Sequence, residues 1–301
     1  MRLNLTFLGT SAGVPSVERS LPSLTLRYGQ WILMFDCGEG AQRQMMKARI
    51  GFSKPMKIFI THLHGDHVFG LFGLLQTMNL LGRERGLEIY GPIGLKGFLE
   101  SAMDYSLAGL RFPLEIREIS SGSIVKEKNF KVKARLAKHS IPNLAYSFEE
   151  GKRPGKFHVE RALRLGVPKG PLWHKLQHGQ KVRLPNGRTI KPNQVVDPPK
   201  PGIKIVYSGD TKPCRAVLEL ARGADLLIHE CTFDDNLSER AETEYHSTPS
   251  GAATLALKAG VKQLVLTHLS TRYRDDKTLL EQARRFFPKT LTARDLMRLE
   301  L

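Results

Sequence analysis

Apolar residues recur along the chain in short runs separated by turn-forming residues. Runs at 3–8, 32–35, 57–61, 131–137, 203–207, 226–228 and 264–267 have the length and β-rich make-up of strands. Between them, 70–81, 94–107, 214–221, 250–259 and 277–287 have the apolar spacing of helices that bury one face. Strands alternating with helices predict an α/β protein whose sheets are covered by helices. The pattern breaks once. From about 149 to 201 glycine, proline and basic residues dominate, with GVPKGP at 166–171 and PPKPG at 198–202. Such residues punctuate regular structure, and a long irregular segment inside a compact domain usually serves a function. The expected organisation is therefore a single domain, 1–301, with a protruding arm inserted at about 149–201, ahead of the strand that begins at Ile203.

Composition sharpens this picture. The chain has 301 residues, 41% apolar and 25% charged, enough for a substantial core and too mixed for wholesale disorder. No apolar run approaches the ~20 residues of a membrane helix, and the first apolar stretch suits a strand better than a signal peptide. A soluble, cytoplasmic protein with no membrane partner is expected. Cys37, Cys214 and Cys231 form no CxxC pair and are read as reduced thiols. The formal net charge is +17, which favours a polyanionic partner. Between 151 and 191 stand eleven Lys or Arg and one acid, Glu160, so this stretch alone carries +10.

The candidate chemistry concentrates at Thr61-His62-Leu63-His64-Gly65-Asp66-His67, after the strand-like KIFI and before an apolar helix. His62 and His64, two apart, point the same way from an extended strand end. Asp66 and His67 then open a helix, where a carboxylate is electrostatically favoured. Imidazole and carboxylate are metal ligands, and a turn of this kind presents them to two adjacent ions. Other strand-like runs also end in ligand-type residues: His139 after KVKARLAK, Asp210 after IVYS and His268 after LVLT. Asp210 has two oxygens with which to bridge two metals ~4 Å apart.

HxHxDH at 62–67, the lone His139, Gly209-Asp210-Thr211 and the late His268 resemble the metallo-β-lactamase superfamily. Within it, nearly the whole chain resembles the ribonuclease Z (tRNase Z) family, short form. The opening FLGTSAGVPSVERS is similar to that family's first loop. His229-Glu230-Cys231-Thr232 resembles its His-Glu-Ala-Thr motif, His246-Ser247-Thr248 its His-Ser-Thr motif, and the basic arm with Gly170-Pro171 its tRNA-gripping exosite. The resemblance implies a four-layer αββα sandwich and two zinc ions per chain. His62, His64, His139 and Asp210 would hold one; Asp66, His67, Asp210 and His268 the other. It implies Asp66 as general base and His246 as proton donor to the leaving 3′-oxygen, with Glu230 orienting His246 or a ligand histidine. It also implies a homodimer, in which one subunit's arm grips tRNA cut by the other.

The implied activity is an endoribonuclease that removes the 3′ trailer of precursor tRNA. Val17 stands where the first-loop motif has Lys, and Ser20 where it has Asn, so weaker rejection of CCA-ending tRNA is expected. An esterase or lactonase of the same fold would share the metals but have no use for the +10 arm. A non-catalytic nucleic-acid-binding module would leave both ligand sets unexplained. His158, His174 and His178, in the arm, are read as surface residues. Phe157 and Trp173 either stack on RNA or form a small core there.

Overall fold

The structure, a computed structural model, describes residues 3–301. Two seven-stranded sheets organise the larger of two compact units, which runs to Lys126 and adds Val132–Phe148 and Lys204–Leu301. The first sheet orders its strands Arg298–Glu300, Leu3–Gly9, Ser23–Tyr28, Trp31–Phe35, Met56–Phe59, Leu87–Gly91 and Leu114–Glu118. Its first four are antiparallel and the rest parallel. The second runs Thr290–Thr292, Leu264–Thr267, Leu226–Glu230, Lys204–Tyr207, Asn143–Glu150, Phe130–Ala137 and Gly122–Lys126.

The two-residue side-chain period of a strand decides the layers. In Trp31–Phe35, Ile32 and Met34 face one way, into a core with Leu71, Leu74, Leu75, Met78, Leu95 and Leu99 of the helices Gly70–Leu80 and Leu95–Tyr105. Phe35 faces the other way and meets Tyr146 and Tyr207 of the second sheet, with ring centroids 5.9 and 6.2 Å apart. Phe59 stacks on Phe35 at 5.2 Å and tilts against Tyr146 at 5.5 Å. The far side of the second sheet is covered by Arg215–Ala221, Pro249–Ala259 and Lys277–Phe286, through Val217, Ala252, Ala256, Leu279 and Ala283. Helix, sheet, sheet, helix is thus the layer order.

Several strands escape the sequence pattern for identifiable reasons. Leu114–Glu118 and Gly122–Lys126 lie at sheet ends and stay largely exposed, so charged residues blur their alternation. Asn143–Glu150 is buried on both faces, but Asn143 and Ser147 sit inside it, so it is not a continuous apolar run.

The second unit comprises Glu127–Lys131 and Glu149–Ile203. The segment expected to be irregular has regular structure after all. It contains the short helices Val159–Arg164 and Pro171–Gln177 and a hairpin of Val182–Arg183 with Thr189–Ile190. Ala162, Val167, Leu176, Val182, Leu184, Ile190 and Val195 form its own core. Phe157 and Trp173 pack on that core with centroids 5.2 Å apart, and the Trp173 indole donates to the Val167 carbonyl at 3.2 Å. Ten of the eleven basic side chains between 151 and 191 are exposed. Among the described residues no helix is long and apolar enough to cross a membrane.

The aromatic layer between the sheets gives a direct test. Phe59 is fully buried, so Phe59→Ala should destabilise the fold by about 3–5 kcal/mol through lost burial and a residual cavity. Urea unfolding should show a lower midpoint at an unchanged slope; an unmoved midpoint would contradict this packing.

Candidate metal centre

Strand ends of both sheets supply the centre. His62 follows Met56–Phe59, and His64 caps the single helical turn Gly65–Val68, which carries Asp66 and His67. His139 follows Phe130–Ala137, Asp210 follows Lys204–Tyr207, and His268 follows Leu264–Thr267. Gly65 needs no unusual backbone angle, but a Cβ there would lie 2.3 Å from the exposed Phe69 ring, which would have to turn aside. Gly209 does need a left-handed backbone, with φ +59°, and its would-be Cβ meets the Thr61 side chain at 2.9 Å. His268 itself adopts φ +57°, strain of the kind that collects at functional sites.

The side chains converge in two groups joined by Asp210. In the first, His64 Nδ1 lies 3.0 Å from His62 Nε2 and 3.2 Å from His139 Nε2. In the second, Asp66 Oδ2 is 3.5 Å from His67 Nε2 and 3.5 Å from His268 Nε2. Between them, Asp210 Oδ1 is 3.4 Å from His67 Nε2, and Asp210 Oδ2 is 3.1 Å from His268 Nε2 and 3.8 Å from His62 Nε2. Each group keeps its ligand atoms within 4.8 Å of one another.

The surroundings prepare these atoms for a cation. His67 Nδ1 donates to Asp36 Oδ2 at 2.8 Å. Thr61 Oγ1 donates to Asp36 and accepts from His62 Nδ1 at 2.9 Å. Thr232 Oγ1 donates to Glu230 Oε2 and accepts from His268 Nδ1 at 2.9 Å, and His139 Nδ1 donates to the Tyr245 carbonyl. In each of these rings Nδ1 is hydrogen-bonded outward and Nε2 faces the centre, the orientation that such outward partners give to metal-ligating histidines. His67 Nε2, His268 Nε2 and Asp210 Oδ1 are buried without a hydrogen-bond partner. Ligand nitrogens about 2 Å from a tetrahedral ion stand roughly 3.3 Å apart, close to the spacings of the first group. The donor set therefore fits metal ions.

Electrostatics agree. Burial, then neighbouring charge on His67, holds His62 well below the ordinary imidazole range, so it stays neutral, and burial lowers His64 and His139 as well. Burial opposes charge on Asp66 and Asp210, yet His67 and His268 outweigh it and keep both ionised. Beside the centre, His246 Nδ1 lies 2.8 Å from Glu230 Oε1. Burial works against a charged His246, but Glu230 prevails and raises it to about 9. Glu230 also accepts from the Thr211 and Thr232 backbone amides.

Sequence reasoning missed Thr232, which touches Glu230, His246 and His268 at once, and Tyr207, whose hydroxyl donates to Asp36 at 2.8 Å. Thr232 follows Glu230 by two residues, which was the available signal. His229 is buried with Nδ1 on the Glu230 carbonyl and belongs to none of the ligand groups. In the first loop, Gly13 N–H donates to Asp66 Oδ2 at 3.0 Å. Arg19 donates to Thr10 and to the Ala293 carbonyl, both at 2.8 Å, so it braces the loop, whereas Val17 is fully exposed.

A family model described as "Anti-Pycsar protein Apyc1" matches residues 3–148, and one described as "Beta-lactamase superfamily domain" matches 173–269. The fold and the His/Asp clusters define a protein of the metallo-β-lactamase type. The chain is 47% identical to a ribonuclease Z of Methanothermobacter thermautotrophicus, over 99% of this chain and 97% of that one. It is 46% identical to a ribonuclease Z of Brevibacillus brevis, over 97% and 95%. Human tRNase Z, short form, superposes with a TM-score of 0.70 at 31% identity and covers 98% of each chain. The chain belongs to the ribonuclease Z family.

The His246–Glu230 pair makes a pH prediction. The folded value of about 9 lies above the ordinary 6.5. The pair's stabilisation is thus complete below about pH 6.5 and is lost as pH rises through about 9. In metal-free protein, the His246 ring should titrate by NMR near 9. Glu230→Gln should bring that midpoint down and flatten the loss of stability between those limits. A midpoint unmoved by Glu230→Gln would show that Glu230 does not hold the proton.

Proposed function

We propose that this protein is a zinc-dependent endoribonuclease that hydrolyses the phosphodiester joining the 3′ trailer to precursor tRNA, leaving a 3′-hydroxyl on the tRNA. The near full-length match to ribonuclease Z chains carries this reading. His62, His64 and His139 would hold one zinc and Asp66, His67 and His268 the other, with Asp210 shared. Bound zinc supplies an acidified water at neutral pH and neutralises charge on the phosphate. The chain's own groups then move protons. Asp66, held ionised and oriented by the Gly13 amide, takes the proton of the attacking water. His246, kept cationic by Glu230, gives one to the departing 3′-oxygen. Glu230 acts through His246 and through Thr232.

The basic segment 151–191 is assigned to gripping the tRNA body through phosphate and shape. Its exposed cations support this, and its internal core suits a part that binds without sharing in the chemistry. A homodimer is proposed as well. Phe69, Leu80, Leu81, Ile93, Tyr105 and Leu107 are all exposed on and beside the two helices that follow the His-Asp turn. Phe69 stacks on Phe98, and Asn79 bonds to Gly109 and Arg111, which ties these two helices and the chain after them together; exposed apolar side chains on such a face suit a partner surface. We place the protein in the cytoplasm, where its three free cysteines stay reduced.

Incubation with one precursor tRNA should give a mature-length 3′ end and an intact trailer, and a chelator should abolish both. Asp210→Ala should lose both metals and the activity while circular dichroism stays that of the wild type. Elemental analysis finding one metal or none in active wild-type enzyme would overturn the two-metal assignment. Cleavage inside the tRNA body would overturn the trailer reading.

Deleting 151–191 should leave zinc content and hydrolysis of bis(p-nitrophenyl) phosphate intact while precursor cleavage collapses through affinity. The wild type's log K should drop by roughly 0.9 per log unit of salt for each phosphate contacted in a duplex, and the deletion should flatten that slope. A folded deletion variant with wild-type affinity and salt dependence would remove the arm from the account.

A further inference from the structure

We infer that the first sheet carries a second anion site, built for a phosphate group and separate from the metal centre and from the basic segment. A cavity of about 320 Å³ lies against the strands Leu3–Gly9, Ser23–Tyr28 and Arg298–Glu300 and the segment 48–54. Strand register fixes part of its lining: Asn4 lies opposite Arg27 and Glu300, and Thr6 lies opposite Thr25 and Arg298. Arg27, Arg49, Lys54 and Arg298 contribute four cations against one carboxylate, Glu300. No carboxylate partner is seen for Arg27, Arg49 or Lys54 among the described residues. Like charges gathered around a cavity repel one another, and a bound anion relieves that repulsion.

The wall is held before any ligand arrives. Arg298 donates to the Ala48 carbonyl at 2.7 Å, and the Ile50 amide reaches back to Met45. The buried Arg83 guanidinium holds the carbonyls of Phe52 and Lys54. Arg49 stands two residues beyond the helix Ala41–Lys47, in the left-handed conformation with φ 58°. Glycine meets that requirement without strain and is the usual residue there. Local backbone physics therefore gives no reason for an arginine at 49, whereas its side chain supplies a cation to the cavity. Guanidinium groups match phosphate oxygens in bidentate pairs, and the volume suits a small ligand or one segment of a strand. The phosphate could belong to a free nucleotide or to an RNA chain, and the test separates the two.

Full-length, zinc-loaded protein would be titrated with AMP and, separately, with a short single-stranded RNA. Wild type would be compared with Arg27→Gln/Lys54→Gln and with a control of equal charge loss elsewhere, Arg222→Gln/Lys258→Gln. The first pair should weaken binding by about tenfold or more, relative to the control. Loss for AMP identifies a free nucleotide. Loss for RNA alone, with a shallower salt slope, identifies a phosphodiester. Arg49→Gly should reproduce the loss with a Tm at or above wild type, and hydrolysis of bis(p-nitrophenyl) phosphate should be the same in every variant. If both probes bind the two double variants equally, or bind Arg49→Gly as they bind wild type, the site does not exist.

Discussion

Asp36 is fully buried at the end of the strand Trp31–Phe35, and its two oxygens accept from four donors. These are the Thr61 amide and hydroxyl, His67 Nδ1 and the Tyr207 hydroxyl. A carboxylate taken out of water at this depth is tolerable only when its lone pairs are satisfied. Thr61 and His67 lie in the segment that follows the first sheet's strand Met56–Phe59, and Tyr207 ends a strand of the second sheet, so satisfying Asp36 ties the two sheets together at the place where the His-Asp turn begins. Asp36 adopts φ 56° to reach all four, a conformation that aspartate tolerates better than most residues. The neighbouring backbone is stitched to the same turn: Cys37 exchanges hydrogen bonds with His67 and Gly70. Gly38 and Gly70 approach so closely that a Cβ on Gly70 would stand 2.0 Å from the Gly38 carbonyl oxygen.

Ring orientation in the centre follows from that arrangement. His67 and His62 are steered by Asp36, directly or through Thr61, and His268 by Thr232. The inward nitrogens therefore face two carboxylates that burial alone would protonate. Such an assembly balances only around positive charge. On the other flank, Glu230 holds His246 cationic, and Thr232 links that pair to His268. The His246–Glu230 pair and His268 thus share one hydroxyl.

The first loop is braced from the far end of the chain. Asp295 accepts from the Thr10 hydroxyl, the Ser20 amide and Gln44, and Arg19 reaches the Ala293 carbonyl. Asp276 binds Thr292 and Arg294, with Arg19 3.9 Å away. This network places the Gly13 amide on Asp66 while leaving Val17 in solvent. Arg19 in the loop is thereby a structural anchor.

Much of the centre was legible in the chain itself. Three histidines and an aspartate within six positions after an apolar run have no packing rationale, and His139, Asp210 and His268 each end a readable strand. Sheets covered by helices followed from short β-rich runs alternating with helical spacing, whereas the four-layer order came from the family resemblance, and the resemblance of the HECT and HST segments pointed to Glu230 and His246. Tertiary structure alone decided what touches those residues. Tyr207 lies 171 positions from Asp36, and no local spacing predicts that its hydroxyl closes that hydrogen-bond set. The strand Asn143–Glu150 hid because burial on both faces removes alternation while its polar residues interrupt the apolar run. The segment 149–201 read as irregular because its small core is assembled from scattered residues such as Ala162, Leu176 and Ile190, on helices too short for a period to show. Short-range periodicity records which face of an element is buried; which elements meet across that face is a property of the folded chain.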